Sequence, residues 1–286
     1  MGDVAMTVPV LTAFSNANPT IKLTVLTKKQ FTPLFRDLKI VTVFSADFNT
    51  THKGVLGLYR LSKTVRNTHI DAVADLHNVL RTKVLKLFLS GVKFAQIDKG
   101  RAEKKALITG KITTPLRTTP QRYADVFRTL GFEFEIDTPF FPTPKPLDTE
   151  ITKVLGDFSK PVIGIAPFAA YASKTYPISK METVIFELQK ESKVLLFGGG
   201  PTETKQLETI ASKYSNVVCV AGKFSLEQEL DIISNLKVML SMDSSNGHMA
   251  AMLGVKVVTL WGVTHPFAGF APFHQLAANN LLSDLE

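Results

Sequence analysis

Residues 242–264 read MDSSNGHMAAMLGVKVVTLWGVT. Apolar residues over 238–242 end at Asp243, and the small polar loop Ser244-Ser245-Asn246-Gly247 follows. A small-residue run then gives way to the Val-rich segment 255–261. The pattern predicts strand, loop, helix over 246–253, and strand again, one unit of a parallel α/β sheet. Exposed N–H groups at such a helix start bind phosphate, helped by the positive end of the helix dipole. On this reading Gly247 lets a phosphate approach the backbone, and Asp243, at the strand's carboxyl end, holds sugar hydroxyls. The same residues fit equally well as an Asp/Ser cap on a buried helix.

The pattern repeats toward the N-terminus. Segments 161–166, 193–197 and 217–221 read as apolar strands, and 178–190, 203–214 and 226–236 as the helices between them. Ser225 with Gln228 three residues on forms a capping box. Repeated β-α units with apolar strands require a parallel sheet covered on both faces. Upstream, residues 138–146 read TPFFPTPKP; this density of proline continues neither a helix nor a central strand. The segment divides the chain into domains 1–146 and 147–286. In the first, 21–26, 41–44, 71–76 and 92–97 read as strands and 54–67, 81–89 and 121–130 as helices, with Gly131 ending the last. Two such sheets make a doubly wound protein with a cleft between its halves, its ligands at the carboxyl ends of the strands. The opening Gly2-Asp3-Val4-Ala5-Met6 resembles the turn and helix start that follow a strand, and no strand precedes it. The first sheet is therefore expected to begin at its first loop.

Charge divides at the same place. Residues 1–146 hold 22 Lys and Arg against 11 Asp and Glu, a balance of +11; residues 147–286 hold 11 against 14, a balance of −3. The last arginine is Arg128. A basic half is suited to an anionic partner: nucleic acid, an anionic membrane face or a phosphorylated substrate. No zinc-finger or RNA-recognition signature accompanies the cations, which argues against nucleic acid. The lone Cys219 excludes an internal disulfide framework and fits a reducing compartment. The longest apolar stretches fall well short of the ~20 residues of a membrane span, and Asp3 stands where a secretory leader would be basic. The histidines show no metal-ligand spacing, and Ser244-Ser245 is not in a nucleophile elbow.

Three further segments carry candidate chemistry. In Phe197-Gly198-Gly199-Gly200-Pro201-Thr202-Glu203 the glycines admit a nucleotide, and Glu203 either meets a ribose hydroxyl or simply favours the helix dipole. The motif is not GxGxxG and indicates no nicotinamide cofactor. In the loop 167–177, PFAAYASKTYP, Lys174 is either a mobile counter-charge for a pyrophosphate or a solvated lysine. Asp3 is either a helix-start carboxylate alone or one that also takes a proton from a substrate hydroxyl.

Taken together, DSSNGHMAAMLGVKVVTLWGVTHP, the opening GDVAMTVPVL, Asp75-Leu76-His77 followed by Arg81, and KTYP at 174–177 resemble glycosyltransferase family 9, the ADP-heptose:lipopolysaccharide heptosyltransferases. The resemblance runs over essentially the whole chain in the family's order. It implies an α/β fold of GT-B type, two Rossmann-like doubly wound domains facing a cleft. The N-terminal domain would take the acceptor and the C-terminal domain a nucleotide sugar such as ADP-heptose. It implies an inverting transfer with Asp3 as general base, Lys174 on the pyrophosphate, Asp243 on the donor sugar, Ser244, Gly247 and His248 in the phosphate-binding turn, and Glu203 on the ribose. Ala169 and Ala170 stand where the family carries hydroxyl residues, so phosphate contacts there fall to the backbone or are lost. No metal or cofactor is implied. The acceptor would be an anionic lipopolysaccharide core or related glycolipid. Arg60, Arg66, Arg81, Lys83 and Lys86 are the candidate acceptor or membrane face, and the location would be the cytoplasmic face of a Gram-negative inner membrane. Other outcomes are the same fold using another nucleotide sugar for a capsule or lipid-linked glycan, and a non-catalytic nucleotide-sugar binder. Against the resemblance, the chain is expected to lack the first domain's opening strand and part of the C-terminal helices.

Overall fold

A computed structural model describes residues 1–156 and 158–283. It divides into two compact units, Thr7–Phe140 and a second formed by Phe141–Glu286 together with Met1–Met6. The break falls inside the proline-rich segment. The opening hexapeptide goes with the second unit, although the charge and composition boundary leaves it in the first half.

The chain opens with α1 (Gly2–Ala5) and α2 (Thr7–Ala17). Pro9 lacks the N–H that would bond the Ala5 carbonyl, and the helical run is interrupted at Met6. In the first unit follow β1 (Leu23–Lys28), β2 (Val41–Ala46), α3 (Gly54–Arg66), β3 (Ala72–Asp75), α4 (Leu80–Phe88), β4 (Lys93–Gln96), α5 (Arg101–Ile108) and α6 (Thr119–Thr129). The four expected strands form, but as two separate parallel ladders, β1 with β2 from Leu23↔Val41 and β3 with β4 from Ala72↔Lys93. Helices α1 and α2, not a strand, precede β1. Helix α6 starts in a Thr118/Gln121 capping box and ends before Gly131, whose φ of 99° suits the expected C′ role. Phe14 of α2 stacks with Phe127, Phe132 and Phe134 to form this unit's aromatic core. Neither α5 nor the turn Lys29–Phe35 was expected from the sequence.

The second unit adds α7 (Thr149–Leu155), β5 (Val162–Ala166), α8 (Ile178–Leu188), β6 (Lys193–Leu196), α9 (Gly200–Ala211), β7 (Val217–Cys219), α10 (Leu226–Ser234), β8 (Val238–Met242), α11 (Ser245–Met252), β9 (Lys256–Leu260) and β10 (Asn280–Leu281). Here a doubly wound sheet forms, with six parallel strands in the order β10-β9-β8-β5-β6-β7 among the described residues. Ile165, Val194, Leu195, Leu196, Met239 and Val257 are fully buried, as a sheet covered on both faces requires. Trimming any of these leucines to alanine costs about 2–5 kcal/mol. The Ser225/Gln228 capping box forms as expected. Strand order reverses between β5 and β8, so the loops leaving their carboxyl ends diverge and open a crevice. Lys174 lies on the loop after β5, and Asp243 follows β8 directly. Among the described residues, no helix is long and apolar enough to cross a membrane.

Candidate active site

At that switch point Lys174 Nζ stands 2.7 Å from Asp243 Oδ2, with only 22% and 10% of the two side chains exposed. Thr264 Oγ1 donates to the same Oδ2 at 2.9 Å. Both bonds end on one carboxylate oxygen, leaving Oδ1 to other donors. Lys174 is set by a short 3₁₀ turn, Ala172–Lys174, in which its N–H bonds the Tyr171 carbonyl. The loop after β9 braces this turn. The Val263 N–H donates to the Ser173 carbonyl, and a Cβ on Gly262 would stand 2.6 Å from that oxygen.

Next to this pair α11 begins. Ser244 is its N-cap residue, yet its side chain makes no capping bond. Ser244 Oγ, Ser241 Oγ and His248 Nδ1 are buried and make no hydrogen bond among the described residues. A buried polar atom without a partner calls for a bound water, a ligand or local strain to account for it. The His248 imidazole is buried. Burial pushes its pKa down, outweighing the opposing pull of the Asp243 and Asp3 carboxylates; the amino terminus and Lys174 add to the lowering. The ring is therefore neutral at pH 7, a hydrogen-bonding group and not a cation.

Gly247 also carries a packing duty. A Cβ there would stand 2.4 Å from Ser241 Oγ and 3.5 Å from Val257 Cγ1. Its bare side faces the sheet, so its smallness seats α11 on β8 and β9. Space beside the backbone is found at Gly199 and Gly200, where an added Cβ meets nothing within 4 Å. In the same turn Glu203 Oε2 accepts the Gly199 N–H at 2.8 Å. One oxygen of Glu203 thus caps its own helix.

Asp3 is exposed on α1, and α1 packs on the first turn of α11. A Cβ on Gly2 would stand 2.9 Å from His248 Cδ2 and 3.5 Å from the Ser245 Cα. Asp3, Lys174, Asp243, Ser244 and His248 thus belong to one unit, although 245 positions separate Asp3 from His248 in sequence.

The basic candidates lie on the first unit. Arg60, Arg81, Lys83 and Lys86 are exposed. Arg81 stacks over Phe48 at 4.0 Å, and Lys86 lies 5.2 Å from the Phe94 ring centroid. Arg66 is committed elsewhere: its guanidinium donates to the Phe88 and Ser90 carbonyls at 2.8–3.2 Å, pinning the end of α4 to α3. It serves the fold as well as adding its charge to that exposed surface. The sequence alone assigned no part in the site to Thr264, Ser241 or Gly262. The available signal for Thr264 was its place just beyond a strand adjoining the one that ends at Asp243.

A profile of glycosyltransferase family 9 (heptosyltransferase) matches residues 58–285. This chain belongs to that family. Relatives include the lipopolysaccharide core heptosyltransferase OpsX of Haemophilus influenzae, 25% identical over 301 residues that cover 100% of this chain and 82% of OpsX. Lipooligosaccharide heptosyltransferase 2 of Haemophilus ducreyi is 25% identical over 73% of this chain and 65% of its own length. Among solved structures, a glycosyl transferase family 9 protein of Veillonella parvula superposes with a TM-score of 0.77 at 19% identity, covering 99% of this chain and 83% of that one. E. coli heptosyltransferase WaaC with ADP superposes at 0.69 and 18% identity, covering 98% and 89%. The fold is thus the α/β GT-B type of family 9, with Rossmann-like units.

Proposed function

We propose that this chain is an inverting heptosyltransferase that moves a heptose from a nucleotide-diphosphate donor such as ADP-heptose to a lipopolysaccharide core or related anionic glycolipid. The Lys174–Asp243 pair at the head of α11 carries this reading. A cation, a run of helix-start N–H groups and a carboxylate within one crevice match a substrate that is anionic at its diphosphate and hydroxylated at its sugar. The names of the family 9 relatives support the same substrates.

In this mechanism Lys174 and the α11 N-terminus hold the diphosphate, with Ser244 as a further donor and the neutral His248 beside it. Asp243 accepts from sugar hydroxyls, and the oxygen of Glu203 not used in capping accepts from the ribose. The acceptor hydroxyl attacks the anomeric carbon from the side opposite the diphosphate. As the new C–O bond forms, the bond to the diphosphate oxygen breaks and its electron pair leaves with the diphosphate. Asp3 accepts the hydroxyl proton. Lys174 and the helix dipole stabilise the charge growing on the leaving group. The test is release of ADP from ADP-heptose in the presence of a heptose-deficient core acceptor, for the wild type and Asp3→Asn. Loss of about 10²–10⁴-fold in turnover is expected for a missing base. Equal turnover in both would remove Asp3 from the mechanism, and a donor preference for another nucleotide sugar would move the reading to a related glycan.

The first unit is assigned to the acceptor and to the cytoplasmic face of the inner membrane. Helices α3 and α4 hold no acidic residue. Exposed Leu56, Leu80 and Leu87 accompany Arg60, Arg81, Lys83 and Lys86, a combination suited to an anionic leaflet. Charge reversal at Arg81, Lys83 and Lys86 should abolish sedimentation with anionic vesicles; unchanged binding would sink this assignment.

A further inference from the structure

We infer that Thr264 is a positioning residue for the donor sugar: it holds Asp243 in its sugar-facing orientation when Lys174 turns to the diphosphate. The inference rests on the reading above, in which Asp243 meets the sugar and Lys174 the diphosphate.

Two donors converge on Asp243 Oδ2, and they differ in kind. Lys174 reaches it through a flexible stem ending in a partly exposed ammonium, 2.7 Å away. A lysine is a mobile point charge with three donors, drawn toward whatever anion is strongest nearby. A diphosphate is a stronger attractor than a carboxylate already shared. Thr264 reaches the same oxygen at 2.9 Å through a short β-branched side chain, which is stiff at its first torsion. Its backbone is braced as well. Val263 bonds the Ser173 carbonyl, and Gly262 is packed so closely on Ser173 and Lys174 that a Cβ would overlap them. The loop after β9 is therefore a fixed bracket with two functions: it sets the turn that carries Lys174, and it supplies the hydroxyl that remains on Asp243 once Lys174 is drawn away. With Oδ2 held, Oδ1 keeps a constant direction for a sugar hydroxyl.

The distinguishing experiment compares binding of two probes, ADP and ADP-heptose, by calorimetry to the full-length wild type, Thr264→Val, Thr264→Ser and Asp243→Asn. ADP carries the diphosphate without the sugar, so the ratio of the two affinities isolates the sugar's contribution. For Thr264→Val we expect the ADP-heptose affinity to fall about tenfold relative to ADP, the scale of one hydrogen bond to a charged group. ADP affinity itself should stay within about twofold, and Thr264→Ser, which keeps the hydroxyl, should restore the ratio. A uniform loss for both probes would mean a merely structural residue and overturn the inference. So would an unchanged ratio in Thr264→Val alongside a lowered ratio in Asp243→Asn. If Asp243→Asn itself leaves the ratio unchanged, the failure lies in the underlying assignment of Asp243 to the sugar. Cooperative unfolding of each variant, measured in parallel, guards against loss of fold.

Discussion

Two residues carry energetic consequences that can be measured apart from catalysis. Burial on α10 pushes the Glu229 carboxyl from an ordinary value of 4.5 up to about 7. Below pH 4.5 it is neutral in both the folded and unfolded states and costs nothing. Between pH 4.5 and 7 the unfolded chain ionises first, so folded stability falls as pH rises, by about 3 kcal/mol in total. Glu229→Gln should therefore unfold at higher urea than the wild type at pH 8 and at nearly the same urea at pH 4. Gly247 is the second. Gly247→Ala places a methyl 2.4 Å from Ser241 Oγ, an overpacking expected to cost about 1–3 kcal/mol. Ser241 Oγ has no hydrogen-bond partner among the described residues, so Ser241→Ala alone should be near neutral. Ser241→Gly should rescue Gly247→Ala in a double-mutant cycle. A rescue absent from urea unfolding would show that the clash is not with Ser241. At this scale the sequence was informative about residue type and blind to facing. Asp243 and Lys174 stood out because carboxylates and lysines just beyond strand ends have few structural duties. The packing of Gly247 on Ser241 was not legible, because nothing local reveals which neighbour a glycine's bare side meets.

At the scale of elements, the parallel strands and their helices were legible from apolar runs of strand length and from caps such as Ser225 with Gln228 and Thr118 with Gln121. Those signals are local, and the structure keeps them. The docking of α1 on α11 was not legible, because it joins the chain's opening to residues near 245 without any periodic signature. It has a testable weak point. Gly2 allows the approach of α1 to the imidazole of His248, with an added Cβ only 2.9 Å from Cδ2. Gly2→Val should push α1 and its Asp3 away from the head of α11. Turnover should fall at least tenfold, while ADP affinity and the unfolding midpoint change little, since the sheet core is untouched. A variant with full turnover would separate α1 from the reaction.

At the scale of the molecule, the two units differ in how their strands are protected, and the difference was only half readable. The sequence showed that strands alternate with helices on both sides of TPFFPTPKP. It did not show that strand pairing in the first half forms two ladders, because pairing partners are set by tertiary packing and not by local pattern. A ladder of two strands has each strand on an edge, and such ladders are marginal without further packing. In the second unit β5, β6, β8 and β9 each have neighbours on both sides, and their side chains form the fully buried core. Local opening free energy follows that distinction. Amide hydrogen exchange should therefore be slowest in β5, β6 and β8 and clearly faster in β1 to β4. Saturating ADP should widen the gap: a ligand at 100 times its Kd adds about 2.7 kcal/mol to whatever unit binds it. On the proposed assignment that protection should fall on β5, β8 and the start of α11, and leave the β1–β2 and β3–β4 ladders as they were. Protection by ADP centred on the ladders would place the nucleotide on the other unit and overturn the donor assignment of Lys174 and Asp243 together.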